Sequence, residues 1–310
     1  MDWIIVSREG YGAQFNRLWK LNGLLKKEAF TEYGKKKMGH ELAFLNFVRK
    51  NKVPFPIPKV LYFDNTSYTM IFYEYETFSK KWPSLTSSER DDILMQIRMH
   101  LNDLHQFETI KISETHYRDL LIIELLQKTT ERIKQIEPLL KKYSHIKKVN
   151  HREFISFEKI IDFFKKEMET FLKNKTYSLC PIHGDCQFNN ILIGPQKEIL
   201  FIDPRGYYGT YEIYGIPEYD DAKIGFALSG YDIFDSMKIT SLNIENDVVF
   251  VDDLRLKDLE QNSFISVLVL SIWLGNAHCF KDEAKAFYSY SYAMWLISLH
   301  LEKCQNSLLE

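Results

Sequence analysis

The sequence predicts an α+β protein, with a small strand-rich N-terminal lobe over residues 1–76 and a larger, mainly helical lobe over residues 77–310. Three observations predict this. Short apolar runs divided by Gly, Asn and Pro turns crowd the first 76 residues, with one helix-periodic stretch among them. Beyond them the apolar residues recur mostly at helical spacing. That helical region is interrupted by a pair of apolar runs about a Gly-Pro turn, which reads as a β-hairpin.

The elements follow in order. Trp3-Ile4-Ile5-Val6 opens a strand, and Arg8-Glu9-Gly10-Tyr11-Gly12-Ala13 forms a Gly-containing turn. Asn16–Leu21 and Gly23–Lys27 make a hairpin about Asn22-Gly23, a strong turn pair. From Tyr33 to Lys50, Met38, Leu42, Phe44, Leu45, Phe47 and Val48 approximate helical spacing, and Pro54, Pro56 and Pro58 end that helix. Two strands then run over Lys59–Phe63 and Ser67–Tyr75, with Asp64-Asn65 in the turn. Thr86-Ser87-Ser88-Glu89 carries a capping pattern ahead of a helix through Phe107. Further helices are expected over Arg118–Tyr143, Phe157–Lys173, Ser266–His278 and Asp282–His300. With no internal repeat and no low-complexity linker, the two lobes read as one cooperating body joined near Tyr73–Thr77.

Composition narrows the function classes. Over 310 residues the chain is 45% hydrophobic and 26% charged, with a formal net charge of −2. That balance gives no electrostatic case for a nucleic-acid partner. Basic runs such as Lys35-Lys36-Lys37 read as solvated helix faces. Cys180, Cys186, Cys279 and Cys304 lack metal-ligand spacing and read as reduced thiols of a cytoplasmic protein. The acid at Asp2 argues against a signal peptide. The apolar run Phe264–Leu274 falls short of the roughly 20 residues of a membrane span.

The chemistry concentrates in His183-Gly184-Asp185-Cys186-Gln187-Phe188-Asn189-Asn190 and Ile202-Asp203-Pro204-Arg205-Gly206. Ile191–Ile193 and Ile199–Ile202 flank the turn Gly194-Pro195-Gln196-Lys197, a hairpin that would return Asp203 beside Asn190. Phosphoryl transfer needs one carboxylate at the attacking hydroxyl, and an amide and a second carboxylate on the metal that bridges the nucleotide phosphates. Asp185, Asn190 and Asp203 supply that set. A lone H-G-D is equally a turn with a capping Asp; the hairpin joining Asn190 to Asp203 carries the catalytic reading.

These motifs resemble the aminoglycoside phosphotransferase and choline kinase superfamily, whose H-G-D replaces the H-R-D of protein kinases. Ile202-Asp203-Pro204-Arg205-Gly206 is similar to a bacterial subgroup with an I-D-P-R-G metal loop, linked with surface-polysaccharide biosynthesis. Gly215-Ile216-Pro217-Glu218-Tyr219-Asp220-Asp221-Ala222-Lys223-Ile224 resembles that subgroup's G-D-P-x-Y-D-L-A-K-L. The resemblance implies a two-lobed protein-kinase-like fold and transfer of the γ-phosphoryl group of ATP or GTP to a hydroxyl of a small molecule. It implies Asp185 as the base, Asn190 and Asp203 as magnesium ligands, and His183 and Asp220 as supports of the catalytic loop. Arg205 departs from the Phe of D-F-G, and either contacts an anion or pairs with Glu212 or Glu218.

The same resemblance asks for a phosphate loop and for a strand lysine paired with a helix glutamate. Gly10 and Gly12 suit the loop, where small residues let backbone N–H groups approach phosphate oxygens. Leu24-Leu25-Lys26-Lys27 offers two lysines that point to opposite faces. Lys26 is preferred because the two leucines before it resemble the V-A-I-K lead-in, with Lys27 as the alternative. Glu41 is the expected partner, and the backbone around Glu74 and Tyr75 the expected reader of the base. Acids from Glu218 to Asp253 read for the most part as a solvated surface; together with the accompanying aromatic rings they would suit an amino alcohol such as choline or ethanolamine, and the rings alone a sugar face. Sugar or polyol and amino alcohol lead as acceptors, ahead of an aminoglycoside. A nucleotide-binding pseudokinase with a regulatory role is the alternative; such degenerate relatives usually lose a residue of the set.

Overall fold

The N-terminal sheet is built by turn chemistry and alternation. In the computed structural model, which describes residues 3–6, 11–64, 66–173, 175–254 and 263–306, five strands pair in the order β1-β2-β3-β5-β4. They are β1 (Ile4–Val6), β2 (Asn16–Leu21), β3 (Leu24–Ala29), β4 (Val60–Phe63) and β5 (Ser67–Ile71). Asn22 and Gly23 both take positive φ, 46° and 76°, the two-residue turn that matches strand twist. β5 ends at Ile71, four residues before the expected Tyr75, because its partner Leu24 is the first residue of β3 and no ladder exists beyond it. Arg8, Glu9, Gly10 and Asn65 of the expected turns, like Asp2, lie outside the described residues.

One helix, α1 (Glu32–Asn51), covers this sheet. Thr31 caps it by accepting the Gly34 N–H, and Lys52 closes it in the left-handed conformation. Met38, Leu42 and Leu45 pack on Ala29, Tyr68 and Met70 of the sheet, with Leu25 and Val60 at the margin. This small core decides which strand side chains face α1.

The chain divides into two compact units, one of residues 1–112 and 178–227, the other of residues 113–177 and 228–310. This grouping differs from a division at residue 76. The first unit holds the sheet, α1, the long helix α2 (Ser87–Phe107) and every segment of the two motifs. A capping box at Thr86 and Glu89 opens α2. Ile191–Ile193 and Ile199–Phe201 pair antiparallel, and the short strand Glu76–Thr77 joins them at Leu192 and Ile193. The segment leaving β5 is thereby stitched directly to the motif hairpin.

The second unit is a helical core. Helix Ser263–Asn276 packs on Glu283–Asn306, Phe157–Leu172 and Lys128–Gln135. Buried Trp273 donates to the Ser229 hydroxyl at 2.7 Å, and Tyr292 donates to the Ser229 carbonyl at 2.8 Å. The single helix expected over Arg118–Tyr143 is two pieces: Glu114–Leu121 runs through a π segment into Lys128–Gln135, and Glu137–Lys142 starts anew. Pro138 explains the break, since it has no N–H to give the preceding turn and suits the start of a helix. Among the described residues no helix is long and apolar enough to cross a membrane, and all four cysteines are free.

Candidate active site

Alternation along β3 settles which lysine reaches α1. Leu25 and Ala29 both join the core beneath α1, so Lys27, midway between them, projects to the same face. Lys26 projects to the other. Lys27 Nζ donates to both carboxylate oxygens of Glu41, at 2.9 and 2.7 Å, and to Asp203 Oδ1 at 2.9 Å. Lys26 instead bonds Glu28 at 3.1 Å on the half-exposed face, where Trp19 also donates to Glu28. The expected pairing of Lys26 with Glu41 is therefore corrected to Lys27. Ala29 was the overlooked signal: a buried small residue two positions on marks the inward face.

Glu41 is 4% exposed and also accepts the Tyr68 hydroxyl at 2.6 Å. Burial raises its carboxyl above the ordinary range; Lys27 opposes this and Asp203 adds to it. Two carboxylates thus share one ammonium in a water-poor space, an arrangement that holds Lys27 rigidly.

The motif loop gathers the remaining groups. Ile202 N–H bonds the Asn190 carbonyl at 2.9 Å, so the hairpin brings Asp203 back to Asn190 as its spacing suggests. The Asn190 amide nitrogen donates to the Asp185 carbonyl at 2.8 Å and to Asp185 Oδ2 at 2.9 Å. That spends both amide hydrogens on Asp185 and leaves the amide oxygen to face elsewhere. Among the described residues, no three His, Cys, Asp or Glu side chains form a self-sufficient metal cage. One amide oxygen and one carboxylate at the root of a hairpin do fit magnesium, which takes few protein oxygens and fills its octahedron with phosphate and water.

His183 is fully buried among Phe44, Phe55 and Phe201, and its Nδ1 accepts the Asp185 N–H at 3.2 Å. Burial pushes its pKa down, against the pull of Asp220, Asp185 and Asp203. A neutral ring with a backbone partner is a packing element. Asp220, 0% exposed, accepts the N–H of His183 at 2.9 Å and of Gly184 at 2.6 Å, with His105 Nε2 at 3.0 Å. Burial works to raise this carboxyl, but His105, His183 and the Gly184 N–H outweigh it and hold it below the usual range. Asp220→Ala would orphan two buried N–H donors and is expected to cost about 2–5 kcal/mol. Urea unfolding checks this; a loss under about 1 kcal/mol would remove Asp220 as the brace.

Residues 217–226, outside every element expected above, form a helix with Pro217 in its first turn. Asp220 and Lys223, three apart, lie on neighbouring positions of one helix face. Asp220 holds the loop, and Lys223 Nζ reaches Asp185 Oδ1 at 2.9 Å. Burial raises the Asp185 carboxyl, but Lys223 first, then Lys37 and His183, bring it below its ordinary value. Lys223 is the site residue that sequence reasoning missed. Its signals were the Ile-Pro-Glu helix start and the three-residue step from Asp220.

Gly206 takes φ +70°, and a Cβ there would fall inside the contact shell of the His40 carbonyl, so only glycine lets the Asp203 loop lie against α1. Gly206→Ala is expected to cost at least about 2 kcal/mol and to lower activity by disturbing Glu41 next door, read by thermal unfolding and turnover. The Arg205 guanidinium lies 4.1 Å from the Tyr207 ring centroid, and Glu212, one of its two expected partners, bonds His40 at 3.1 Å. Gly12 sits in a 3₁₀ turn, Tyr11–Gln14, ahead of β2; Gly10 lies outside the described residues. Glu74, largely exposed and 3.8 Å from Lys20, and Tyr75 occupy the segment between β5 and Glu76–Thr77. Of the acids after the metal loop, Asp220 is committed to the brace, Asp235 accepts from Tyr231 at 3.4 Å and Asp252 from Tyr288 at 3.0 Å.

The sequence profile of the phosphotransferase enzyme family (APH) matches residues 24–207, more than half of the chain and the whole run from Lys27 to Gly206. The chain belongs to this phosphotransferase family. Solved structures share its fold. Choline kinase LicA from Streptococcus pneumoniae aligns at TM-score 0.55 and 12% identity, covering 95% of this chain and 94% of that one. A choline/ethanolamine kinase family protein from Mesorhizobium loti aligns at 0.53 and 11%, covering 96% and 88%. ADP-bound aminoglycoside phosphotransferase APH(2'')-Ib aligns at 0.51 and 16%, covering 96% and 93%. No curated protein sequence matches the chain. For this phosphotransferase family member, the strand-rich N-terminal part and helical remainder are thus the protein-kinase-like fold that the motifs implied.

Proposed function

We propose that this phosphotransferase moves the γ-phosphoryl group of ATP or GTP to a hydroxyl of a small molecule, a sugar or polyol foremost. The observation that carries the reading is the convergence of Lys27, Glu41 and Asp203 in one ion-paired cluster, with Asp203 returned beside Asn190 and Asp185. In this reading residues 1–76 hold the nucleotide and residues 77–310 supply catalysis and the acceptor site. The backbone at Glu74 and Tyr75 reads the base, Gly10 and Gly12 approach the phosphates, and Lys27 orients the α and β phosphates.

Asp185 accepts the proton of the acceptor hydroxyl as its oxygen attacks the γ-phosphorus. The new O–P bond forms while the bond to the β-phosphate oxygen breaks, and the nucleoside diphosphate leaves with that electron pair. Asp185 is ionised at neutral pH because Lys223 holds its carboxyl low, so it is ready to receive the proton. Asn190 and Asp203 would hold magnesium, which when bound neutralises charge on the phosphate oxygens. Asp220 and His183 keep the loop from relaxing, and positioning of this kind supplies much of the rate in phosphoryl transfer.

The cations around Asp185 weigh against a permanently charged amine as acceptor. Lys223 touches it and Lys37 acts on it electrostatically, so a quaternary ammonium would approach like charges. This favours a neutral sugar or polyol over an amino alcohol, and leaves an aminoglycoside last. The I-D-P-R-G likeness to a subgroup of surface-polysaccharide pathways supports the same order. Dependence on ATP or GTP and the buried thiols of Cys180 and Cys186 suit the cytoplasm. The test is thermal stabilisation by ATP with magnesium, followed by labelled transfer across sugars, polyols, amino alcohols and aminoglycosides. Transfer to a sugar or polyol supports the reading. Stabilisation without transfer to any acceptor would favour the pseudokinase.

A further inference from the structure

The helix Pro217–Phe226 delivers a cation to a place where the motif loop itself carries none. Two residues after Asp185 the loop has Gln187, an uncharged side chain turned inward to cap the Asn189 N–H at 3.1 Å. Lys223 reaches Asp185 from another element, its ammonium 2.9 Å from Asp185 Oδ1 and its side chain only 14% exposed. A second cation stands close by. The Tyr219 ring lies 5.7 Å from Lys223 Nζ and 5.3 Å from the Arg205 guanidinium, so the two charges approach the same ring. Arg205 is fixed there by its backbone, which bonds the His183 carbonyl at 2.8 Å, and by the close pass of its Cβ to Gly184, where an added Cβ would sit at 2.9 Å.

Lys223 is paired with Asp185, and the charge of Arg205 opposes that of Lys223. Such a pair of cations is stabilised when further negative charge enters. The ammonium has three N–H donors, of which Asp185 Oδ1 engages one. An attacking hydroxyl must touch both Asp185 and the phosphorus, which brings the phosphoryl oxygens within about 5 Å of the base and of its lysine.

We propose that Lys223, backed by Arg205, forms an anion subsite against Asp185 that holds the terminal phosphoryl group of the bound nucleoside triphosphate. This rests on the reading of the site as a phosphotransferase centre. Lys223 contacts the group being transferred, whereas Lys27 serves the α and β phosphates from the far side of Asp203. The same ammonium ties base and phosphoryl group together, so it sets their approach as well as their charge.

The proposal is tested by binding, which needs no knowledge of the acceptor. The affinities of ADP and of the non-hydrolysable triphosphate analogue AMP-PNP are measured with magnesium by calorimetry, for wild type, Lys223→Met, Lys223→Arg and Arg205→Met. Wild type should prefer AMP-PNP. Lys223→Met should lose that preference by about tenfold or more while ADP binds as before, Lys223→Arg should keep most of it, and Arg205→Met should fall between. Unchanged ADP binding also shows that the variant is folded. If Lys223→Met loses ADP as well, Lys223→Gln, which still donates to Asp185, is read in its place by the same criterion. A preference retained by the Lys223 variants overturns the proposal, as does equal affinity of wild type for the two nucleotides. Failure of wild type to bind either nucleotide would bring down the phosphotransferase reading itself, and the subsite with it.

Discussion

Replacing Lys27 by methionine is expected to reduce phosphoryl transfer by roughly 10²–10³-fold and to destabilise the fold by about 3–5 kcal/mol. The stability loss comes from Glu41 and Asp203, which share the Lys27 ammonium at 2.7 and 2.9 Å while the Lys27 and Glu41 side chains are 4% and 6% exposed. Removing the cation leaves a carboxylate with no counter-charge in a space where burial already raises it, so Glu41 takes up a proton at a higher pH in the variant. Lys26→Met supplies the contrast. Its ion pair with Glu28 is half-exposed at 31% and 33%, where such pairs contribute about 0–1 kcal/mol. Turnover within about twofold of wild type and stability within roughly 0.5 kcal/mol are expected. Paired urea unfolding and turnover measurements on the two variants check both halves. A severe Lys26→Met and a mild Lys27→Met would reverse the assignment.

Asp185→Asn is expected to lower turnover by roughly 10²–10⁴-fold with nucleotide affinity little changed. The amide keeps the size of the side chain and still offers an oxygen to Asn190 or Lys223, so the loop geometry should survive. It cannot take the hydroxyl proton. Asp185 is 36% exposed on its side chain and its backbone N–H remains on His183, so the fold should lose much less than it does with Lys27→Met. Kinetics with fixed acceptor and varied ATP separate the effects: a loss confined to kcat supports a base. A rise in the KM for nucleotide with kcat unchanged would assign Asp185 to binding instead.

Local chemistry made much of the architecture legible. The Asn22-Gly23 turn, the capping box at Thr86 and Glu89 and the proline run after α1 each act over a few residues, and each forms in the structure. The return of Asp203 to Asn190 was legible too, because a short hairpin leaves few registers. What escaped depended on tertiary partners. Lys26 and Lys27 are adjacent in sequence and differ only in which face meets α1, a choice made by Leu25 and Ala29 packing into the core. The strand through Tyr75 stopped at Ile71 because a ladder needs a partner as well as β-favouring residues. In Pro217–Phe226 the resemblance already pointed to Asp220 as a support of the loop, and it does accept the His183 and Gly184 N–H groups; what escaped was the helix itself, which sends Lys223 to the base.

The central claim is that Asp185, Asn190, Asp203 and Lys27 act together to move a γ-phosphoryl group. Phosphorus NMR of ATP with magnesium, followed over the acceptor panel, tests it most directly. With wild type and Lys26→Met the γ-phosphate resonance should give way to ADP and a phosphate monoester on the acceptor, and with Asp185→Asn it should persist. Persistence of ATP with nucleotide-bound wild type across the panel, or equal conversion by Asp185→Asn, would contradict the claim.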